Sequence, residues 1–391
     1  MRAVKGDQST VRALNRRLIL NHIRQAGSVS RVQLVELTGL SPAAVTTVTA
    51  ELISDQFLLE RAMGESSGGR PPILLDIDFE AHYAIGLKLM EDQIIAVLTD
   101  LSTQVIAQDS IRLEHHEPNY VADCAFKVSR GLLKRNNAKL ERLIGLGLGL
   151  AGVVDASSGV CLSSPFLGWN RVPIAELIRS KIGASVWIDN DVNAFAAAER
   201  LFGHGKRSQN FVVVTVGRGI GAGLVLGGEI YRGRDGGAGE FGHTLCEADG
   251  RRCECGNVGC LEAYASEPAL VARYNSAVSK KNAVRDIHGL LEKVNQGNKN
   301  AIALLEDAGR RVGRGLANLV NLLNPDLIVI GGEGVRLGET FFAPMRQTML
   351  EHVFKGLALD LPIFIDAWGD DAWARGAASL AVQRAFDFGS I

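Results

Sequence analysis

Apolar residues in the first 55 positions recur at helical spacing and are punctuated by glycine. Leu14, Leu18, Ile19 and Ile23 mark one helix, which Gly27 stops. Ser30 and Gln33 form a capping box ahead of a short second helix carrying Val32, Leu34, Val35 and Leu37, ended by Gly39. Ser41 caps a third helix, with Pro42 in its first turn. Helix, tight glycine turn, helix is a helix-turn-helix pattern. In the third helix Val45, Val48 and Leu52 point inward at a 3.6-residue period, so Ala43, Thr46, Thr47 and Ala50 point outward. A solvated helix face ordinarily carries charge, yet residues 41–50 hold none. Small side chains and Thr hydroxyls suit close approach to a DNA major groove. The expected DNA contacts are Ser41, Ala43, Ala44, Thr46 and Thr47. Short strands at Phe57–Arg61 and Pro72–Asp76 flank Gly64–Pro71, a wing whose Arg70 is expected to meet a minor groove or a phosphate. A small helical protein-interaction module is the plainer alternative.

From about residue 80 the pattern changes. Strands are expected at His82–Leu89, Gln93–Asp100 and Thr103–Leu113, then a helix at Tyr120–Arg135 and a strand at Leu143–Leu150. A helix at Pro173–Ile182, a strand at Val186–Asp189 and a helix at Val192–Phe202 follow. The order then repeats. Phe211–Val216, Ala222–Leu226 and Glu229–Arg232 read as strands, Cys260–Tyr274 and parts of 283–323 as helices. Strand Leu327–Ile330, helix Phe341–His352, strand Ile363–Ile365 and helix Ala372–Phe386 close the chain. Two successive halves, each a meander followed by alternating helices and strands, predict a duplicated α/β fold with a ligand cleft.

Composition narrows the class. The 391 residues are 47% hydrophobic and 22% charged, enough for a real core, and the net charge is -1. Residues 1–75 carry nine Lys/Arg against six Asp/Glu, so the head is net +3. So small and mildly basic a module needs two copies on a twofold DNA site. The N-terminal stretch lacks the apolar core of a signal peptide, and the longest apolar run, Leu143–Val154, is far short of the ~20 residues that span a bilayer. The expectation is a cytoplasmic protein with no membrane insertion.

Chemistry concentrates in Glu240–Glu262. His243, Cys253, Cys255 and Cys260 fall within 18 residues, and three thiolates with one imidazole are a common tetrahedral Zn²⁺ set. Glu240 and Glu262 flank these ligands, so a structural Zn²⁺ would hold the loop that carries both carboxylates. Asp191, between a strand and a helix, suits a general base or a plain hydroxyl acceptor. Asn193 suits a helix cap. Gly217–Gly223 resembles a phosphate-cradling loop without matching a dinucleotide fingerprint. Gly331–Gly334 suits cleft lining or a turn. Trp169 and Asn170 suit a sugar face, with core packing equally open for the Trp.

Together, Leu150–Asp155, Asp189–Asn193, Gly217–Gly223, Gly236–His243, Cys253–Glu262 and Asn324–Gly332 resemble the ROK family of repressors and sugar kinases. With its head, the chain is similar to the NagC/Mlc/xylose-repressor branch over nearly its whole length. The resemblance implies a winged helix-turn-helix at 1–78 and an actin-like, hexokinase-type two-lobed domain at 79–391. The first lobe would span 79–187 with 372–391, and the second 188–371, with the zinc site and an oligomerisation surface. It implies Zn²⁺ on His243, Cys253, Cys255 and Cys260, and sugar contacts from Asn190, Asp191, Glu240, His243 and Glu262. His243 would serve metal and sugar through different ring atoms.

The kinase pattern fails where ATP would sit. Family kinases carry Asp-x-Gly-Gly-Thr, and the matching stretch here runs from Lys88 through Met90, Glu91 and Asp92. Arg218 stands where kinases usually have Thr. A base without a phosphoryl donor transfers nothing, so Asp191 is expected to be vestigial. The expectation is a sugar-responsive repressor: a homodimer or tetramer on double-stranded operator DNA, released by a sugar or sugar phosphate. The alternatives are a sugar kinase with a DNA-binding head, and a repressor controlled by a protein partner of the sugar-transport system.

Overall fold

The computed structural model describes residues 8–61, 72–357, 360–366 and 372–387. The chain divides into two compact units, Met1–Phe202 with Trp373–Ile391, and Gly203–Ala372.

The first unit opens with α1 (Gln8–Ala26), β1 (Val29–Ser30), α2 (Arg31–Thr38) and α3 (Pro42–Ser54), followed by β2 (Leu58–Arg61) and β3 (Leu74–Ile77). Both expected caps form. The Ser30–Gln33 box is reciprocal, and Ser41 Oγ accepts from the Ala44 N–H at 3.2 Å. Gly39 ends α2 at φ 69°, a left-handed conformation that costs glycine little. The inward face of α1 is Ile19, Leu20 and Ile23, with Leu14 half exposed, and Val32 and Leu37 of α2 face outward. Strands β1, β3 and β2 form one small antiparallel sheet. The wing tip, including Arg70, lies outside the described residues.

Strands β4 (Tyr83–Leu89), β5 (Gln93–Thr99) and β6 (Val105–Arg112) make a meander, and α4 (Pro118–Arg135) leads to β7 (Leu143–Leu150). Residues 151–172, for which the sequence pattern predicts no element, form a second antiparallel sheet: β8 (Val153–Asp155), β9 (Val160–Ser164) and β10 (Trp169–Val172). Asp155 closes the β8–β9 turn by accepting from Ser157 and Ser158, which hold its carboxyl down at about 2. Helix α5 (Ile174–Ile182), β11 (Val186–Asn190) and α6 (Asp191–Leu201) complete this part. The large sheet runs β11-β7-β4-β5-β6, with β7 parallel to both β4 and β11. Residues 188–202, assigned from sequence to the second lobe, therefore sit with the first, because β11 pairs with β7.

In the second unit β12 (Phe211–Val216), β13 (Ile220–Leu226) and β14 (Glu229–Tyr231) repeat the meander. The single helix expected at Cys260–Tyr274 is two, α7 (Glu262–Ala265) and α8 (Glu267–Ala277). Ser266 breaks the run with an extended backbone (φ -69°, ψ 155°) and caps α8 by accepting from Ala269 N, and Pro268, lacking an N–H, suits only the first turn. Then come α9 (Ile287–Asn295), α10 (Lys299–Leu323), β15 (Leu327–Gly331), α11 (Glu339–His352) and β16 (Ile363–Ile365). The sheet order is β14-β13-β12-β15-β16, with β15 parallel to β12 and β16. Both units thus carry a meander extended by two parallel strands, and the fold is the expected duplicated α/β arrangement. The closing helix α12 (Ala372–Asp387) returns to the first unit.

Candidate functional site

Three sets of residues bear on function. The first is the outer face of α3. Ser41, Ala43, Thr46, Thr47 and Ala50 are exposed and Ala44 is partly so, while Val45, Val48, Thr49 and Leu52 are buried. Thr46 Oγ1 donates to Pro42 O at 2.8 Å, which fixes the hydroxyl while leaving its lone pairs outward. Arg31 braces the helix from behind, donating to Thr49 Oγ1 at 3.1 Å and to Glu60 at 2.8 Å.

The second set lies in the first unit, where β7 and β11 end. Asn190 caps α6: its Oδ1 accepts from Val192 N at 2.9 Å and its Nδ2 donates to Gly152 O at 3.0 Å. The cap expected of Asn193 is thus Asn190. Asn193 is buried and donates to Asp189 Oδ1 at 2.9 Å. Asp191 is the first residue of α6, and its Oδ2 accepts from Lys88 Nζ. Lys88 is 7% exposed and its ammonium lies 4.8 Å from the Trp373 ring centre. Met90 closes the β4–β5 hairpin, its N–H donating to Gln93 O at 2.9 Å, with Glu91 and Asp92 exposed on the same turn. Trp169 is buried and donates to His116 O at 2.6 Å, which is the core alternative; Asn170 is exposed.

The third set lies in the second unit. The ligand atoms of His243, Cys253, Cys255 and Cys260 all fall within 4.8 Å of one another. Cys253 Sγ is 3.7 Å from His243 Nδ1, and Cys255 Sγ is 3.7 Å from Cys260 Sγ. A tetrahedron with Zn–S bonds of about 2.3 Å has edges of about 3.8 Å, so spacing and donor set both fit a tetrahedral metal ion. Burial pushes the Cys253 thiol up to about 12 and also raises Cys260. The other ring nitrogen, His243 Nε2, is 3.7 Å from Glu240 Oε2. Bridges Leu245–Cys260 and Arg252–Val258 shape the loop. Tyr264 holds it from inside, its hydroxyl accepting from Arg251 N at 2.6 Å.

This loop also meets Gly217–Gly223, the turn joining β12 to β13. Glu262 Oε2 accepts from Ile220 N at 2.9 Å, and a Cβ on Gly219 would lie 3.1 Å from that same oxygen. A Cβ on Gly217 would meet Glu333 Oε2 at 2.1 Å. Arg218 turns away to Glu254 at 3.0 Å. Two carboxylates thus line the loop that resembled a phosphate cradle. Glu333 has no sequence signal beyond its place inside Gly331–Gly334. Nothing in the local pattern marks Trp373.

A profile of the ROK family matches residues 84–384. The chain belongs to the ROK family. It is 30% identical over 381 residues to the xylose repressor of Bacillus subtilis, covering 97% of this chain and 98% of that protein. Over 388 residues it is 30% identical to the DNA-binding transcriptional dual regulator NagC of Escherichia coli, covering 97% and 95%. Among solved structures, a ROK transcriptional regulator homologous to the Escherichia coli MLC protein superposes with a TM-score of 0.86. That match is 27% identical and covers 97% of this chain and 98% of that one. A ROK glucokinase from Streptomyces griseus, solved with glucose and AMPPNP, gives 0.66 at 28% identity, covering 77% of this chain and 99% of its own. The transcriptional regulators thus match nearly the whole chain, and the glucokinase about three quarters of it. No helix among the described residues is long and apolar enough to cross a membrane.

Proposed function

We propose that this ROK protein is a sugar-responsive transcriptional repressor of carbohydrate uptake or catabolism genes. It acts in the cytoplasm as a homodimer on a pseudo-palindromic operator. Ser41, Ala43, Ala44, Thr46 and Thr47 of α3 face the major groove, and Arg70 supplies a wing contact. Asn190 and Asp191 contact a sugar, as do Glu240, His243 and Glu262. A structural Zn²⁺ on His243, Cys253, Cys255 and Cys260 would fix the loop bearing Glu240 and Glu262, and would orient the His243 ring so that Nε2 faces outward. Relatives named xylose repressor and N-acetylglucosamine repressor support a sugar or sugar phosphate as effector.

The observation that carries this reading is the Lys88–Asp191 ion pair. A general base for phosphoryl transfer must reach the acceptor hydroxyl with its carboxylate uncommitted, beside a bound donor. Here a buried ammonium claims that carboxylate, and Glu262 and Glu333 bring negative charge against the glycine loop where nucleotide phosphates would need donors. We therefore read the body as a sensor without kinase activity. A sugar that releases operator must bind the free and DNA-bound states differently, and ~100-fold discrimination is worth about 2.7 kcal/mol.

The test is fluorescence anisotropy on DNA from upstream of the protein's own gene and nearby sugar operons, near physiological salt, because phosphate contacts make affinity salt-dependent. The titrants are D-xylose, D-glucose, N-acetyl-D-glucosamine and their phosphates. Sequence-selective binding released by one of them is the expected result. Specific binding that no sugar alters would transfer the effector role to a protein partner. ATP turnover with any of these sugars would overturn the non-enzymatic reading.

A further inference from the structure

The Lys88–Asp191 pair has a geometry that a plain loss of catalysis does not require. Lys88 stands opposite Gly149 in the β4–β7 register, and Asp191 opens α6 directly after β11. Gly149 lies against the start of α6: a Cβ there would be in ordinary contact with Asp191 Cα at 3.6 Å. An ammonium has three N–H donors. One goes to Asp191 Oδ2, and the Trp373 ring covers a second side at 4.8 Å. Nζ has no further partner among the described residues. On Asp191, Oδ1 accepts from Val192 N at 2.9 Å, so each carboxylate oxygen keeps an acceptor site. The side chains remain 9% and 14% exposed. The open edge of the pair therefore presents one N–H donor beside carboxylate lone pairs.

A hydroxyl is the group that answers both at a single oxygen. We propose that Lys88 is a ligand-contacting, specificity-determining residue, and that the Lys88–Asp191 pair grips one free sugar hydroxyl from two sides. The hydroxyl proton is donated to Asp191, and its oxygen accepts from Lys88. This rests on the sensor reading, because it takes Asp191 as a sugar contact. It selects for a free hydroxyl at that carbon. A deoxy carbon would leave the remaining Lys88 N–H and an Asp191 lone pair desolvated and unanswered. A phosphoester oxygen at that carbon has no proton for Asp191.

The experiment is calorimetric titration of the full-length protein and of Lys88→Met, which keeps the unbranched stem beside Trp373 and removes the charge. The titrants are D-xylose, D-glucose and N-acetyl-D-glucosamine, then the monodeoxy series of whichever binds. On the wild type, one deoxy position is expected to lose roughly 100-fold or more, because a hydrogen bond to a charged group is worth about 1.5–3 kcal/mol and its loss leaves a desolvated polar group unanswered. Lys88→Met is expected to discriminate about tenfold less than the wild type at that position, Asp191 still accepting the hydroxyl, while keeping its discrimination elsewhere. A merely structural Lys88 would weaken every analogue alike and leave the ratios unchanged, which overturns the proposal and spares the sensor reading. Should Lys88→Met fail to fold with its buried partner unpaired, Lys88→Met/Asp191→Asn removes both charges and must discriminate less at that position than Asp191→Asn alone; equal ratios in the two would overturn the proposal. Binding of sugar phosphates alone would retain the sensor and overturn the free-hydroxyl selection. Binding of none of these sugars or their phosphates to the wild type would overturn both.

Discussion

At Cys253 the electrostatics of a single thiol set the terms of metal binding. Its thiol is pushed up to about 12 by burial and Cys260 is raised too, so both carry protons at neutral pH when no metal is bound. Binding as thiolates must expel those protons. Apparent Zn²⁺ affinity is therefore expected to weaken on acidification, by about tenfold per pH unit for each thiol proton expelled. Competition with a chromophoric chelator at pH 6, 7 and 8 measures the slope, and a flat profile would rule out thiolate ligation. Cys255→Ser should lower bound zinc and sugar affinity together. Retained sugar affinity without metal would separate the ion from the Glu240–Glu262 loop. This site was legible in the sequence because all four ligands lie on one short segment, so spacing alone brings them near. The Lys88–Asp191 pair was half legible. Motif comparison marked both residues, but their contact joins positions 103 apart in the chain and appears only once β4, β7 and β11 are aligned.

Elements were readable where a local signal fixed both ends. Strands β7 and β12 and the start of α3 fall where periodicity and caps placed them, since Ser30, Gly39 and Ser41 act within a few residues of themselves. Strands β8 to β10 were not readable, because strands of three to five residues hold too few side chains to show alternation. The break between α7 and α8 had a local signal in Ser266 and Pro268, and a distant contact reinforces it. The α8 N-terminus is tied to a distant turn, Glu267 N donating to Gly217 O at 2.8 Å. Helix α3 carries a prediction of its own. Its outer face is neutral and small, so Thr47→Glu should place a carboxylate against DNA phosphates and weaken operator binding roughly 100-fold, with charge repulsion and a lost base contact acting together. Sugar affinity of the free protein should not change. Anisotropy with operator and calorimetry with sugar separate the two, and unchanged operator affinity would remove α3 from the interface.

For the molecule as a whole, the notable connection is between the head and the last helix. Within the first unit, α12 lies flush on the large sheet: a Cβ on Gly86 would fall 1.8 Å from Ala374 O, and one on Gly147 would fall 1.7 Å from Ala377 O. Ala378, Ala381, Val382, Ala385 and Phe386 then share one core with Ile19, Leu20, Ile23 and Leu34 of the head. Asn21 Nδ2 donates to Phe386 O at 3.0 Å, and the Arg24 guanidinium lies 5.9 Å from the Phe386 ring centre while bonding Leu201 O. The alanine-rich sequence of α12 shows no strong amphipathic stripe, so nothing local announces that it serves two partners. The head is accordingly not an appendage on a linker; it is built partly from residues more than 300 positions away. Phe386 is 1% exposed, and Phe386→Ala should cost about 3–5 kcal/mol of first-unit stability, the range for deleting a buried ring. Because that ring is shared, operator affinity should fall together with stability, although Phe386 lies far along the chain from α3. Denaturant melts paired with anisotropy measure both. A variant destabilised in the body but unchanged on operator would show that the head folds independently of α12.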